Sequence, residues 1–147
     1  MNKKQKSLTN KGFSLVELII VIAIMAVLVG VLAPQFIKYV EQSRKATDIQ
    51  NAENIKTAML ADIADGKITG TNTNAGGDKF TDTMTTSIKT APTPAGSYNN
   101  NKVDGFYVTY NATDGTCSVS VKDSAAGGTK TYTLTDPDDA AKYKEEK

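Results

Sequence analysis

The chain has 147 residues, with 17 basic and 16 acidic side chains, one cysteine and no histidine. That length suits one domain of modest size. Lacking histidine, it lacks the commonest general base and the commonest zinc ligand, and a lone cysteine permits neither an intramolecular disulfide nor a thiolate metal cluster. Residues 1–12 hold Lys3, Lys4, Lys6 and Lys11 and no acid, whereas the rest holds thirteen basic against sixteen acidic side chains. So short and terminal a basic segment is no nucleic-acid footprint, and no nucleic-acid partner is expected.

An apolar run follows the lysines. Between Phe13 and Ile37 the only charged residue is Glu17, and residues 18–33 are apolar apart from Gly30. About 20 helical residues at ~1.5 Å each cover ~30 Å of hydrocarbon, so the run is long enough to span a bilayer. A charged side chain near the membrane centre costs about 2.5–3.5 kcal/mol on insertion scales, so Glu17 asks for a partner. A cleaved secretory signal fits poorly. The run exceeds the usual ~7–15 apolar residues, carries an acid, and meets Pro34 directly after Ala33 instead of a small-x-small cleavage site. A plain signal anchor is the simpler reading. Positive-inside topology would keep the lysines cytoplasmic and send the C-terminus outward. No apolar tail follows at the C-terminus, so anchoring is expected from the N-terminal run.

Lys11-Gly12-Phe13-Ser14-Leu15-Val16-Glu17 carries more than an anchor needs. It resembles the type IV prepilin signature: a short basic leader ending in Gly, then Phe, then Glu at the fifth position after the cut, here a class III type of leader. Pro34 at the twenty-second position also matches, and the likeness covers roughly residues 6–40. The resemblance implies cleavage between Gly12 and Phe13 by a membrane prepilin peptidase, and methylation of the new Phe13 amine. The apolar segment would remain in the mature protein. The resemblance also implies that Glu17 pairs with the amine of a neighbouring subunit during assembly.

Residue chemistry is consistent with each part. Glycine at a cut site has no Cβ and admits a protease backbone. Cleavage would place a positive amine on Phe13, one helical turn from Glu17. Pairing would offset the cost of a buried carboxylate, and a wrong register would leave it unpaired. Ser14-x-x-Glu17 also has capping-box spacing, and an acid in the first turn complements the helix dipole. The two roles are compatible. Pro34 removes the hydrogen bond to the carbonyl of Gly30 and crowds it, and Gly30 is itself a poor helix former. Gly30 and Pro34 therefore mark the weakest part of the helix; the resemblance implies that this segment kinks, and Pro34 also suits the membrane exit.

The helix is expected to continue to about Ala64. Tyr39, Val40, Ala46, Ile49, Ala52, Ile55, Met59 and Ile63 recur at spacings of mostly three and four, with Glu41, Arg44, Lys45, Asp48, Glu53 and Lys56 on the other face. Asp65-Gly66 supplies a stop. Residues 65–102 read as a loop region with turns at Gly76-Gly77, Pro92, Pro94 and 99–101, in which Asp78 caps a short helix bearing Phe80, Met84 and Ile88 on one face. From Val103 the period becomes two. Strands are expected at 105–110, 116–121 and 130–134, with turns at 111–115 and 126–129, forming an antiparallel meander. Cys117, Val119, Val121, Tyr132 and Leu134 are its candidates for covering the helix stripe. Asp136-Pro137-Asp138-Asp139 caps a short final helix or begins a frayed tail.

The expected fold class is α+β: a long N-terminal helix packed on a small antiparallel sheet. Its parts are a leader at 1–12, an apolar transmembrane and assembly helix at 13–35, and a globular head at 36–147 with strands within 103–135 and a tail at 136–147. No cofactor, metal site or catalytic constellation is expected. The acids near the C-terminus match no calcium loop, and a turn explains Asn111-Ala112-Thr113 as well as a glycosylation sequon does. The resemblance implies a structural major pilin: a helical homopolymer serving surface attachment, twitching motility and biofilm formation. It implies a single-pass precursor in the cytoplasmic membrane, then an extracellular pilus, with a platform protein and ATPase as assembly partners. The alternatives are a pseudopilin of a type II secretion or DNA-uptake system, and a monomeric membrane-anchored binding domain. The best-known pilins close a C-terminal loop with a disulfide. Cys117 alone cannot, so other contacts must hold that region, as in the disulfide-poor pilins of Gram-positive bacteria.

Overall fold

A computed structural model describes residues 12–72, 74, 77–98, 101–122 and 130–146. Leader residues 1–11, Gly76 and the turns expected at 99–100 and 126–129 lie outside the described residues. The elements are α1 (Leu15–Ala64), β1 (Asp78–Lys79), β2 (Ser97–Tyr98), β3 (Asn101–Lys102), β4 (Phe106–Asn111), β5 (Thr116–Lys122), β6 (Thr131–Thr133) and α2 (Pro137–Glu145). The chain forms two compact units, one ending at Ile37 and one beginning at Lys38.

In the first unit α1 runs through Gly30 and Pro34 as a continuous helix. Every described residue of this unit is exposed, and Leu18, Ile22 and Val29 show more than half their surface. By length and composition this helix suffices to cross a membrane.

In the second unit α1 ends at Asp65-Gly66, as expected, through a Schellman motif. Gly66 adopts φ 71°, its N–H reaches the carbonyl of Ile63 at 3.0 Å, and the Lys67 N–H reaches that of Asp62 at 2.9 Å. Only a residue without Cβ takes that backbone conformation cheaply.

The main sheet is antiparallel in the order β1-β4-β5-β6. Alternation sets its inner face. Phe106 pairs with Val121, Val108 with Val119 and Tyr110 with Cys117, and Val121 pairs in turn with Tyr132. These side chains pack in one core with Ala52, Ile55 and Met59 of α1. Leu134 joins the core, its N–H reaching the Val119 carbonyl at 2.8 Å. Asp136 caps α2, accepting from the N–H groups of Asp138 and Asp139 at 3.0 and 3.1 Å, with Pro137 opening the helix. The α+β architecture expected from the sequence is the one observed.

The loop region differs from expectation. No helix starts at Asp78. Asp78 and Lys79 instead pair with Val108 and Tyr107 as β1, and the Phe80 N–H donates to the Phe106 carbonyl at 2.7 Å. Residues 81–90 form turns and bends. Their seven β-branched or hydroxylated residues at 81, 83, 85–88 and 90 disfavour helix, and the Thr85 hydroxyl takes the Ile88 N–H at 3.2 Å. Phe80 is still buried, with Met84 and Ile88 partly buried against the core. β2 and β3 pair as a small antiparallel ladder inside the expected loop. On α1, Tyr39 is 67% exposed although it belongs to the expected stripe, while Lys45 and Asp48, expected on the outer face, are fully buried.

Candidate assembly site and buried anchors of the head

The N-terminal site is built by the helix start. Gly12, Phe13 and Ser14 are exposed and precede α1, and Phe13 shows 90% of its surface. Nothing lies within 4 Å of where a Gly12 Cβ would stand. Ser14 occupies the N-cap position: its carbonyl accepts the Leu18 N–H at 3.2 Å. Glu17 reaches back, and its Oε2 accepts the Ser14 N–H at 3.0 Å. This is the Glu half of a capping box, satisfying one otherwise unpaired donor. The geometry thus gathers Phe13, Ser14 and Glu17 in one turn. Gly30 and Pro34 lie farther along the same exposed helix, apart from that turn. Glu17 is exposed, so its second oxygen is accessible to a donor from outside the chain.

The head holds a different set of carboxylates, which the sequence had hidden. Glu41, Asp48 and Asp62 lie seven and fourteen residues apart on α1, so they share roughly one face. Asp62 accepts the Thr86 N–H at 2.6 Å and its hydroxyl at 2.8 Å. Asp48 accepts the N–H groups of Ala95 and Gly96 at 2.7 and 2.8 Å, and the Tyr143 hydroxyl at 3.0 Å. Glu41 accepts the Ser97 N–H and hydroxyl. Hydrogen bonds to charged groups contribute about 1.5–3 kcal/mol each, so acids replace the missing ladder along this segment. The available signal was the spacing of these acids by multiples of seven.

Environment tunes these groups in opposite senses. Burial raises the Asp48 carboxyl above the usual range, against the pull of its backbone donors. The Thr86 N–H and hydroxyl, with Lys67, hold Asp62 below it. Burial lowers Lys45, whose ammonium donates to the Glu146 carbonyl and sits 5.2 Å from the centre of the Tyr143 ring. Burial also pushes the Cys117 thiol up to about 11, so at neutral pH it is a half-buried thiol of low reactivity. Among the described residues no group of histidine, cysteine and acidic side chains has the arrangement of a metal site.

Residues 8–33 match the family model of the prokaryotic N-terminal methylation motif. Among known proteins, a type IV major fimbrial protein FimA of Dichelobacter nodosus is 31% identical over 97 residues, which cover 66% of this chain and 54% of the relative. A second FimA of that organism is 35% identical over 60 residues, 41% of this chain and 38% of the relative. A fimbrial protein of the same organism is 33% identical over 60 residues with the same coverage of each. The chain thus spans about half the length of the first of these relatives and less of the other two. No solved structure gives a significant match. A long N-terminal helix with an uncovered apolar half, a head with an antiparallel sheet, and a methylation-type N-terminus are together similar to the prepilin class. Within that class, the chain resembles a type IV pilin.

Proposed function

We propose that this chain is the structural major subunit of a type IV pilus. The observation that carries the proposal is the exposed Glu17 in the first turn of a helix whose apolar residues as far as Ile37 are uncovered. Such a helix needs a membrane or other helices around it. Its acid needs a cation, and cleavage of the Gly12–Phe13 bond supplies one.

In this reading a prepilin peptidase removes residues 1–12 at the cytoplasmic face, and the Phe13 amine is methylated. The precursor waits as a single-pass membrane protein. On assembly, Glu17 of one copy pairs with the Phe13 amine of the next, which fixes the register of the growing helical homopolymer. Apolar faces then cover one another, each fully buried large side chain contributing about 1.5–3 kcal/mol. Gly30 and Pro34 supply the stretch where the helix yields during packing. A platform protein and an ATPase supply the work. The chain acts through its surfaces and assembly, not through catalysis, and the fibre serves attachment, twitching motility and biofilm formation at the cell surface.

Mass spectrometry of sheared surface fibres tests this. The expected result is fibres built mainly of this chain, each copy beginning at a methylated Phe13. Copies beginning at Met1, or cut after Ala33, overturn the proposal. A correctly processed chain that never forms surface fibres supports a pseudopilin instead.

A further inference from the structure

Residues 81–96 cross the head without regular secondary structure, yet their backbone is not loose. Thr86 is tied to Asp62, Ala95 and Gly96 to Asp48, and the start of β2 to Glu41 through Ser97. The tie points lie on one helix, 21 residues apart from first to last, so they span about 32 Å. Between Thr86 and Ala95 most of the packing is peripheral: Ile88 and Ala91 are only partly buried, and Pro94 alone is buried. The segment is a strap, fastened by carboxylates at intervals.

One fastening is shared. The Asp48 carboxylate that holds Ala95 and Gly96 also holds the hydroxyl of Tyr143 from α2, 95 residues away in sequence. Gly96 lies at the junction. A Cβ built there would stand 2.6 Å from the Tyr143 hydroxyl, 2.8 Å from an Asp48 oxygen and 2.9 Å from Lys45 Cγ. Lys45 adds a second tie to α2 through the Glu146 carbonyl. Strap, helix α1 and helix α2 therefore meet at one buried point. Neither the strap nor α2 can leave it without stripping donors from the same acid.

We propose that the strap and α2 form one cooperative latch, closed on Asp48, that opens as a unit while the β4–β5 core stays folded. The core ladder is better secured. β4 and β5 pair over six residues each, and Val108 and Val119 are fully buried. Local opening of peripheral units below the global unfolding free energy is common, and opening here would free the whole C-terminal edge of the head at once. This conformational device is independent of how the N-terminal helix is used.

Native-state hydrogen exchange on the full chain in detergent tests it, with Tyr143→Phe as the probe. The variant keeps the ring and removes only the hydroxyl that touches Asp48. Exchange is expected to accelerate about tenfold or more at Ala95 and Gly96 as well as at Glu146 and through α2, with Val108 and Val119 unchanged. Faster exchange in α2 alone overturns the latch, because the two segments are then independent. Equal acceleration everywhere overturns it too, because the unit is then the whole head. If the variant does not fold, the unaltered chain decides. Under rising denaturant, strap and α2 amides should merge on one line below that of the sheet. Separate lines contradict the proposal.

Discussion

The two halves of α1 use acids in opposite ways. In the N-terminal half a single acid, Glu17, is exposed and accepts one backbone N–H from its own first turn, amid apolar residues that nothing covers. In the head half, Asp48 and Asp62 are buried and take three donors each from the strap, α2 and Lys67, beside apolar residues that are fully covered. Ile24 is 56% exposed and Ile55 fully buried on the same helix. An acid whose partners lie within the chain holds the fold. An acid left exposed in an uncovered apolar stretch is open to a donor from outside it.

The contrast is sharpest in a pair of identical substitutions. Ile55→Ala should lower the stability of the head by about 2–5 kcal/mol, the usual cost of emptying a core site. Ile24→Ala should change it by less than about 0.5 kcal/mol, because the residue is exposed and belongs to the other unit. Denaturant unfolding in detergent, followed by tyrosine signals of the head, measures both. Equal effects would erase the distinction between the halves.

A smaller loss is expected from Gly96→Ala. The added methyl would press on the Tyr143 hydroxyl, Asp48 and Lys45. Overpacking of this kind costs about 1–3 kcal/mol, read as a fall in the unfolding midpoint. A neutral outcome would mean that the Asp48 junction yields easily.

The smallest effects, but the most specific, lie in pH. The folded state holds the Asp62 carboxyl low, so its stabilisation is present above the ordinary aspartate range and is lost as pH falls below about 4. The stability difference between the unaltered chain and Asp62→Asn should therefore shrink on acidification. Asp48 is held high, so the folded state binds its proton more readily than the unfolded state does. Its contribution is fullest below the ordinary aspartate range and declines as pH rises, so the difference from Asp48→Asn should widen on acidification. Unfolding midpoints of the three proteins between neutral and acid pH check both slopes.

Elements with local causes were legible in the sequence. The Asp65-Gly66 stop, the alternation of β4 and β5, the Asp136-Pro137 cap and the Ser14–Glu17 spacing each depend on neighbours within a few residues. The strap was not legible, because its partners lie 24 to 56 residues away and leave no period behind. Phe80, Met84 and Ile88 suggested a helix by spacing, but the open edge of β4 offered Phe80 a better bond. Lys45 and Asp48 read as surface residues because charge usually marks surface, and only the strap and α2 packed against them reverse that reading. Gly12, Phe13 and Glu17 drew attention through their order in the chain, and the structure adds the turn that gathers Phe13, Ser14 and Glu17.

The central claim is that Glu17 answers to another copy of the chain. Replace it with Ala, then compare the membrane fraction with sheared surface fibres. The account expects the membrane pool to persist and the fibres to vanish. Fibres at the unaltered abundance would contradict it, and would leave Glu17 as nothing more than the cap of its own helix.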